Sequence, residues 1–405
     1  MPPDAGAPLS AVVVGAGVGG LTAALALARA GLLVTVVEQA QALGEVGAGL
    51  QVSPNATRVL FHLGLEAGLS ALAFRPEAVE ARGWQRGQEI RRAPLGETAR
   101  ERYGFPYFHM HRADLVSVLG QACRAEPRIH LRLGEAVAAC EGDGTPSLVL
   151  ASGERLEADV LVGADGLRSI VREALFGPAA PRFTGNVAWR GLIPAERLEG
   201  ADIRPVAALW MGPGAHFVHY YVRGGTLVNF VGVVEADDGR EESWCSRGKA
   251  ADLRRDFSGW HPTVQRIVEA APEDACFRWA LFDRDPLPKW SRGAVTLLGD
   301  ACHPTLPFMA QGACMAIEDA AVLAACLSGC RRGDIPAALS RYEDLRRPRT
   351  AGIQADSRRN ARIYHLPPPF SWARNLVMAA GLGMGSTMDG LYRYDAMAAG
   401  TRPAA

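Results

Sequence analysis

The chain has 405 residues, 43 Lys plus Arg against 43 Asp plus Glu, and a formal net charge of zero. That length suffices for two or three domain-sized units around a large core, and the charge balance argues against a polyanion partner such as nucleic acid. The cysteines (123, 140, 245, 276, 302, 314, 326 and 330) form no C-x-x-C pair and no disulfide-like framework, so they read as reduced core residues of a cytoplasmic protein.

Residues 1–8 are a loose leader. Leu9–Val14 reads as a Val-rich strand that runs into Gly15, Gly17, Gly19 and Gly20. Leu21–Ala30 reads as a helix, Gly31 closes it, and Leu33–Val37 is a second strand ending at Glu38. The whole of Leu9–Val37 is largely apolar, yet a strand–turn–helix–strand explains its glycines better than a membrane span or signal peptide. A G-x-G-x-x-G between strand and helix, with an acid about twenty residues on, binds dinucleotides. Gly15 permits the tight turn, Gly17 lets a pyrophosphate reach backbone N–H groups, and Gly20 allows close helix–strand packing. Glu38 can accept hydrogen bonds from both hydroxyls of an adenosine ribose. FAD and NAD(H) both fit at this point.

A glycine-dense loop, Gly44–Asn55, precedes a helix expected at Ala56–Leu63. Residues 78–100 alternate polar and apolar and suggest a small antiparallel piece. His109–Leu115 opens an amphipathic helix running to Cys123, with Arg112 at its start. Residues 128–150 give short strands. Then a hydrophobic strand runs through Gly163, Ala164, Asp165 and Gly166 into a further helix. From Arg182 to Glu235 the character changes to strands: Val187–Pro194, Val206–Met211, His216–Arg223 and Thr226–Val234, with glycine turns between. His216, Val218, Tyr220 and Val222 share one face of their strand; Phe217, His219 and Tyr221 share the other. Residues 252–270 are helical, and Val295–Leu298 reads as a buried strand.

The stretch Gly299–Ala321 follows that strand. It holds Asp300 and His303, the prolines Pro304 and Pro307, and the Gln311–Gly312 step, and it ends in a helix with Ala313, Ile317 and Ala320 on one face. A carboxylate at a strand tip beside a helix N-terminus makes a site for an anionic or polarised ligand, because first-turn N–H groups lack intrahelical partners. Ile335–Arg362 reads as helix, and its arginines 346, 347, 349, 358, 359 and 362 as a solvated face or interdomain contacts. No metal-ligand spacing, internal repeat or Ser-His-Asp arrangement stands out.

Three separated motifs, at Gly15–Gly20, Asp165–Gly166 and Gly299–Ala321, occur in the order found in the class A flavoprotein aromatic hydroxylases, and the chain resembles that family. The resemblance implies an α/β fold: a Rossmann-like FAD-binding domain with an inserted antiparallel-sheet substrate domain and a C-terminal helical segment. The expected division is FAD-binding segments at 1–77, 105–181 and 276–345, substrate-domain segments at 78–104 and 182–275, and the helical segment at 346–405. It implies non-covalent FAD, contacted by Gly49, Leu50 or Gln51, by Arg112, by the Asp165 motif and by Asp300 at the ribityl chain. Gly312 and Ala313 would face the flavin pyrimidine edge, and Pro307 would stiffen the loop beside the ring. With a single G-x-G-x-x-G occupied by FAD, NADH or NADPH acts as a transient reductant. O2 then reacts through a flavin C4a-hydroperoxide to hydroxylate a small phenolic or hydroxypyridine-type acid.

The phrase around Pro307 is closest to salicylate-, 3-hydroxybenzoate- and 6-hydroxynicotinate-type hydroxylases. Some of those carry a polar side chain at one of the two positions where Pro307 and Phe308 stand, both apolar here, which leaves His216 and Tyr220 as the main polar candidates for substrate activation. Several relatives carry a His and Tyr at this spacing over the flavin; if the strand turned its other face inward, His219 and Tyr221 would line the pocket instead. A flavin-dependent halogenase shares the fold, but it would need a W-x-W-x-I-P motif and an early lysine, and the first lysine here is Lys249. A flavoprotein oxidoreductase or flavin-binding protein without hydroxylase turnover is the remaining alternative. A soluble monomer or homodimer, without nucleic-acid or membrane partners, completes the expectation.

Overall fold

The structure is a computed structural model that describes residues 7–44, 48–141, 144–236, 248–272, 276–381 and 384–401. Its first layer is a six-stranded sheet. In spatial order the strands are Ser291–Arg292, Val295–Leu297, Val160–Gly163, Ser10–Val14, Leu33–Glu38 and Ile129–Leu133. All pairings are parallel except the Ser291–Arg292 edge. Parallel strands lie between helices and so must be apolar on both faces; Val12, Val13, Val36, Leu161 and Val162 are accordingly buried. The alanine-rich helix Val18–Arg29 packs against the helix Gly312–Leu327. The first and third sequence motifs therefore meet in space.

The second layer is a seven-stranded sheet. Its order is Phe277–Asp283, Arg182–Pro194, Leu227–Glu235, Ala215–Val222, Ala207–Gly212, Ala78–Gly83 and Glu89–Pro94. All neighbours are antiparallel except Ala207–Gly212 with Ala78–Gly83. One face carries Trp189, Phe217 and Phe230 against Leu253, Phe257, Val264 and Ile267 of two helices, Ala250–Asp256 and Pro262–Ala270. The other face presents Leu209, Val233 and Met211 to Leu306, Phe308 and Tyr364.

Several local readings shift. Phe108–His111 is a strand paired with Gly49–Val52, so the helix opens at Arg112 rather than His109. Phe277–Asp283 pairs with Arg182–Pro194 and extends the antiparallel sheet beyond residue 275. The helix Ile335–Tyr364 runs through Pro348 for 30 residues. Its arginines are not a uniformly solvated face: Arg346 is wholly buried, held by Glu318 and Asp319, and Arg358 pairs with Asp283.

The described cysteines are free, and Cys302 and Cys314 are wholly buried among core residues; Cys245 lies outside the described residues. Among the described residues no helix is long and apolar enough to cross a membrane, and no cluster of side chains could hold a metal.

Candidate active site

One cavity of about 1130 Å³ runs between the two sheets. Gly17, Gly49, Leu50, Arg112, Asp300, Pro307, Gly312 and Ala313 line it from the side of the parallel sheet, and His216 and Tyr220 from the antiparallel one. Gly15, Gly20, Glu38 and Asp165 are not among its lining residues.

Those four shape the site from behind. Gly15 has φ +100°, and a Cβ there would lie 2.6 Å from the Ala164 carbonyl oxygen. A Cβ on Gly20 would fall 1.8 Å from the Gly15 carbonyl oxygen, so the helix can approach the turn only without one. The Glu38 carboxylate accepts from the N–H groups of Ala16 and Ala40 at 2.8 and 2.9 Å, tying the glycine turn to the second strand. Asp165 accepts from the N–H groups of Ile170 and Val171 and so caps the helix Ile170–Phe176. Its other oxygen, Oδ1, is buried without a hydrogen-bond partner.

The cavity wall suits a dinucleotide bearing a polarisable ring. A Cβ on Gly17 would meet nothing within 4 Å, and Gly17 lines the cavity, so the backbone here is open to a close-approaching pyrophosphate. Asp300 lies deep between the layers, yet its carboxylate is open to the cavity and makes no hydrogen bond to a described residue. Burial raises its pKa above the usual 3.8, against the pull of His303 and Arg112. Ligand hydroxyls donating to it would relieve that cost. The helix Gly312–Leu327 starts without a side-chain cap, which leaves its first N–H groups for a ligand. Ala310, at φ 52°, makes the left-handed step that aims this helix at the cavity.

A buried polar network fixes the helix start. Asn55 donates to Gln311 at 3.1 Å and to Glu318 at 2.6 Å, and Gln311 donates to the Ser53 hydroxyl at 3.0 Å. Behind it, Asp319 accepts from the Gly299 N–H and from Arg346 and faces His303. Burial alone would raise the Asp319 pKa, but His303 and Arg346 hold it down at about 2. The proline loop is clamped from the long helix: Gln354 donates to the Pro304 carbonyl, Ser357 to that of Leu306, and Tyr364 to that of Phe308.

The antiparallel sheet forms the opposite wall. His216, Val218 and Tyr220 point into the cavity. His219 and Tyr221 point away: His219 stacks on Trp210, and the Tyr221 hydroxyl donates to the Ile203 carbonyl. His216 packs at 5.1 Å on Phe308 and at 5.4 Å on Tyr364. Burial holds its pKa well below 6.5, so the ring is neutral at neutral pH and can accept a proton. Tyr220 lies 4.5 Å from the buried His109 ring, and burial raises its phenol pKa.

Four residues here escaped the sequence reading. Arg190 lines the cavity with its guanidinium over Trp279 at 4.3 Å, and burial lowers its pKa to about 10. Asn229 docks Gly49. His365 and Glu235 extend from His216. Only strand alternation could have flagged Arg190, as a charge among inward-facing apolar positions.

A dinucleotide turn and a polar-spotted antiparallel sheet, facing each other across one cavity, place this protein among the flavoprotein aromatic hydroxylases. The sequence profile described as FAD binding domain matches residues 9–357, and the chain belongs to that family. It is 42% identical to a 3-amino-4-hydroxybenzoate 2-monooxygenase of Streptomyces cremeus, over 88% of this chain and 87% of that one. It is 39% identical to a 6-hydroxynicotinate 3-monooxygenase of Bordetella bronchiseptica, over 86% and 90% of the two chains. HpxO of Klebsiella pneumoniae, solved with FAD and uric acid, superposes with TM-score 0.82 at 28% identity, over 97% of each chain. The protein is an FAD-dependent aromatic monooxygenase that uses NAD(P)H and O2.

Proposed function

We propose that the substrate is a small phenolic or hydroxypyridine acid, and that His216 takes the proton of its ring hydroxyl. The observation that supports this reading best is the cavity face of the Ala215–Val222 strand. It sets a neutral, buried histidine and a tyrosine on either side of the apolar Val218, above an apolar floor of Leu209 and Val231. An aromatic ring fits the floor, and a ring hydroxyl needs an acceptor. Arg190 has no hydrogen bond or ion pair to a described residue, and a substrate carboxylate would satisfy it. The named substrates of the relatives, 3-amino-4-hydroxybenzoate and 6-hydroxynicotinate, have this chemistry.

In this reading FAD, reduced by NADH or NADPH, supplies the activation of O2. Gly17, Asp300 and the Gly312–Ala313 N–H groups hold it, with Gly49, Leu50 and Arg112 alongside. The chain's own residues do the rest. His216 removes the phenol proton, because an anionic ring reacts faster with an electrophile. Tyr220 orients the ring, and Pro307, Phe308 and Leu209 exclude water.

Measuring NADH and O2 consumption together with product over a panel of hydroxybenzoates and hydroxypyridines tests this. One acid should stimulate both, with label from O2 in the product. His216→Ala should retain FAD and lose roughly 10²-fold in hydroxylation, in line with general-base contributions. Undiminished hydroxylation in that variant, or label arriving only from water, would overturn the reading.

A further inference from the structure

His216 does not end at the cavity wall. Its Nδ1 lies 2.8 Å from Nε2 of His365, and Nδ1 of His365 lies 2.9 Å from Oε1 of Glu235. His216 and His365 are 3% and 4% exposed, whereas the Glu235 side chain is 59% exposed. The three groups span from the cavity to bulk water. We propose that they form a proton relay, in which His365 and Glu235 position His216 and carry the substrate proton to solvent. The inference rests on His216 acting as the base.

The backbone holds the chain in register. The Gly214 N–H donates to the His365 carbonyl at 3.0 Å, and the Glu235 N–H donates to the Gly214 carbonyl at 2.9 Å. Arg374 donates to the Tyr364 carbonyl at 2.8 Å and so anchors the end of the long helix beside His365. The elements packed around His216 bring Phe308, Tyr364 and His365 against it, and His365 is the first other base within reach. Glu235 and Arg374 are the charged groups that act on His365, in opposite directions. Burial favours the neutral form of both imidazoles, so each carries one N–H to pass on.

One proton moves through the chain. The substrate O–H gives its proton to Nε2 of His216, and the Nδ1 proton of His216 passes to Nε2 of His365. The Nδ1 proton of His365 then passes to the Glu235 carboxylate, which releases it to water. The ring hydroxyl becomes an oxyanion, both imidazoles end as the opposite tautomer, and no charge stays buried outside the substrate. Reprotonation of the product through the same path resets both rings.

Proton release can be followed by stopped flow with a pH-indicator dye, in holoenzyme mixed with 3-amino-4-hydroxybenzoate, 6-hydroxynicotinate or 3-hydroxybenzoate. His365→Gln should keep FAD and bind the acid, with release slowed roughly 10-fold or more and restored by added imidazole. Glu235→Gln, altered at the exposed end, should slow release several-fold; should His365→Gln lose its flavin, that variant decides alone. Wild-type release in His365→Gln and Glu235→Gln, with slow release in His216→Ala, would remove the relay and leave the base standing. Wild-type release in His216→Ala would remove both, as would failure of all three acids to bind.

Discussion

The backbone N–H of Gly49 donates to the side-chain oxygen of Asn229 at 2.7 Å, joining the strand Gly49–Val52 to the middle of the antiparallel sheet. Asn229 is fully buried and lies directly across from Tyr220 in the sheet register. The two walls of the cavity are therefore held against each other here, where Tyr220 also packs on His109 of the neighbouring strand.

Adding a methyl group at Gly49 should disturb the geometry of both walls at once. A Cβ there would lie 2.8 Å from the Asn229 Cβ and 2.9 Å from the Tyr220 ring. Gly49→Ala should keep FAD, while product formed per NADH falls and hydroxylation drops by about 10- to 10²-fold, the usual effect of misplacing reactants by an ångström. Fully coupled turnover in this variant would show that the contact does not set the site.

Asp300→Ala should release the cofactor. The Asp300 carboxylate is open to the cavity, and each hydrogen bond a ligand hydroxyl makes to a charged acceptor contributes about 1.5–3 kcal/mol. The flavin-to-protein absorbance ratio after desalting should fall, and FAD affinity by titration should weaken by roughly an order of magnitude or more. A folded Asp300→Ala protein with full flavin content would refute the assignment.

Local signals made the glycine turn and the cavity face of the antiparallel sheet readable. Glycine spacing between an apolar strand and a helix fixes a turn within a few residues, and strand alternation sorts His216 from His219. The strands expected between Val187 and Val234 fall within a residue or two of those observed, apart from the longer N-terminal run of Arg182–Pro194. What depends on distant partners was not readable. Arg346 looked like one arginine among several, but its acidic partners lie a helix away at Glu318 and Asp319. His365 joins His216 across 149 residues, and no local pattern carries such a pairing.

Arg346 offers a sharp stability test. Nε donates to Asp319 at 2.7 Å, Nη2 reaches Glu318 at 2.7 Å, and none of the three side chains is exposed. Arg346→Met would take one buried cation from both carboxylates, leaving Glu318 with Arg349 and Asp319 with His303, and breaking a buried pair costs about 3–5 kcal/mol. Urea unfolding of the holoenzyme should show a loss of that size, whereas Arg362→Met on the exposed face should change stability by less than about 0.5 kcal/mol. Equal stability in the two variants would mean that the network has repacked around the gap.

The face of the sheet turned away from the cavity makes the fold sensitive to acid through His219. Both ring nitrogens of His219 are buried without a partner, and burial, aided by the positive charge of Arg82, lowers its pKa to about 3. In the unfolded chain the same ring titrates near 6.5. The unfolded state therefore binds a proton that the folded state refuses, and stability falls as pH drops from about 6.5 towards 3. At pH 5 the loss from this one residue amounts to about 2 kcal/mol. His219→Leu removes the titrating group and both unpaired nitrogens without entering the cavity. Unfolding free energy measured at pH 7.5 and pH 5 should then decline less in His219→Leu than in wild type, by about that amount. His109, whose pKa burial also brings to about 3, remains in the variant and keeps part of the acid sensitivity. An identical decline in both proteins would show that His219 is already protonated, or exposed, in the folded state.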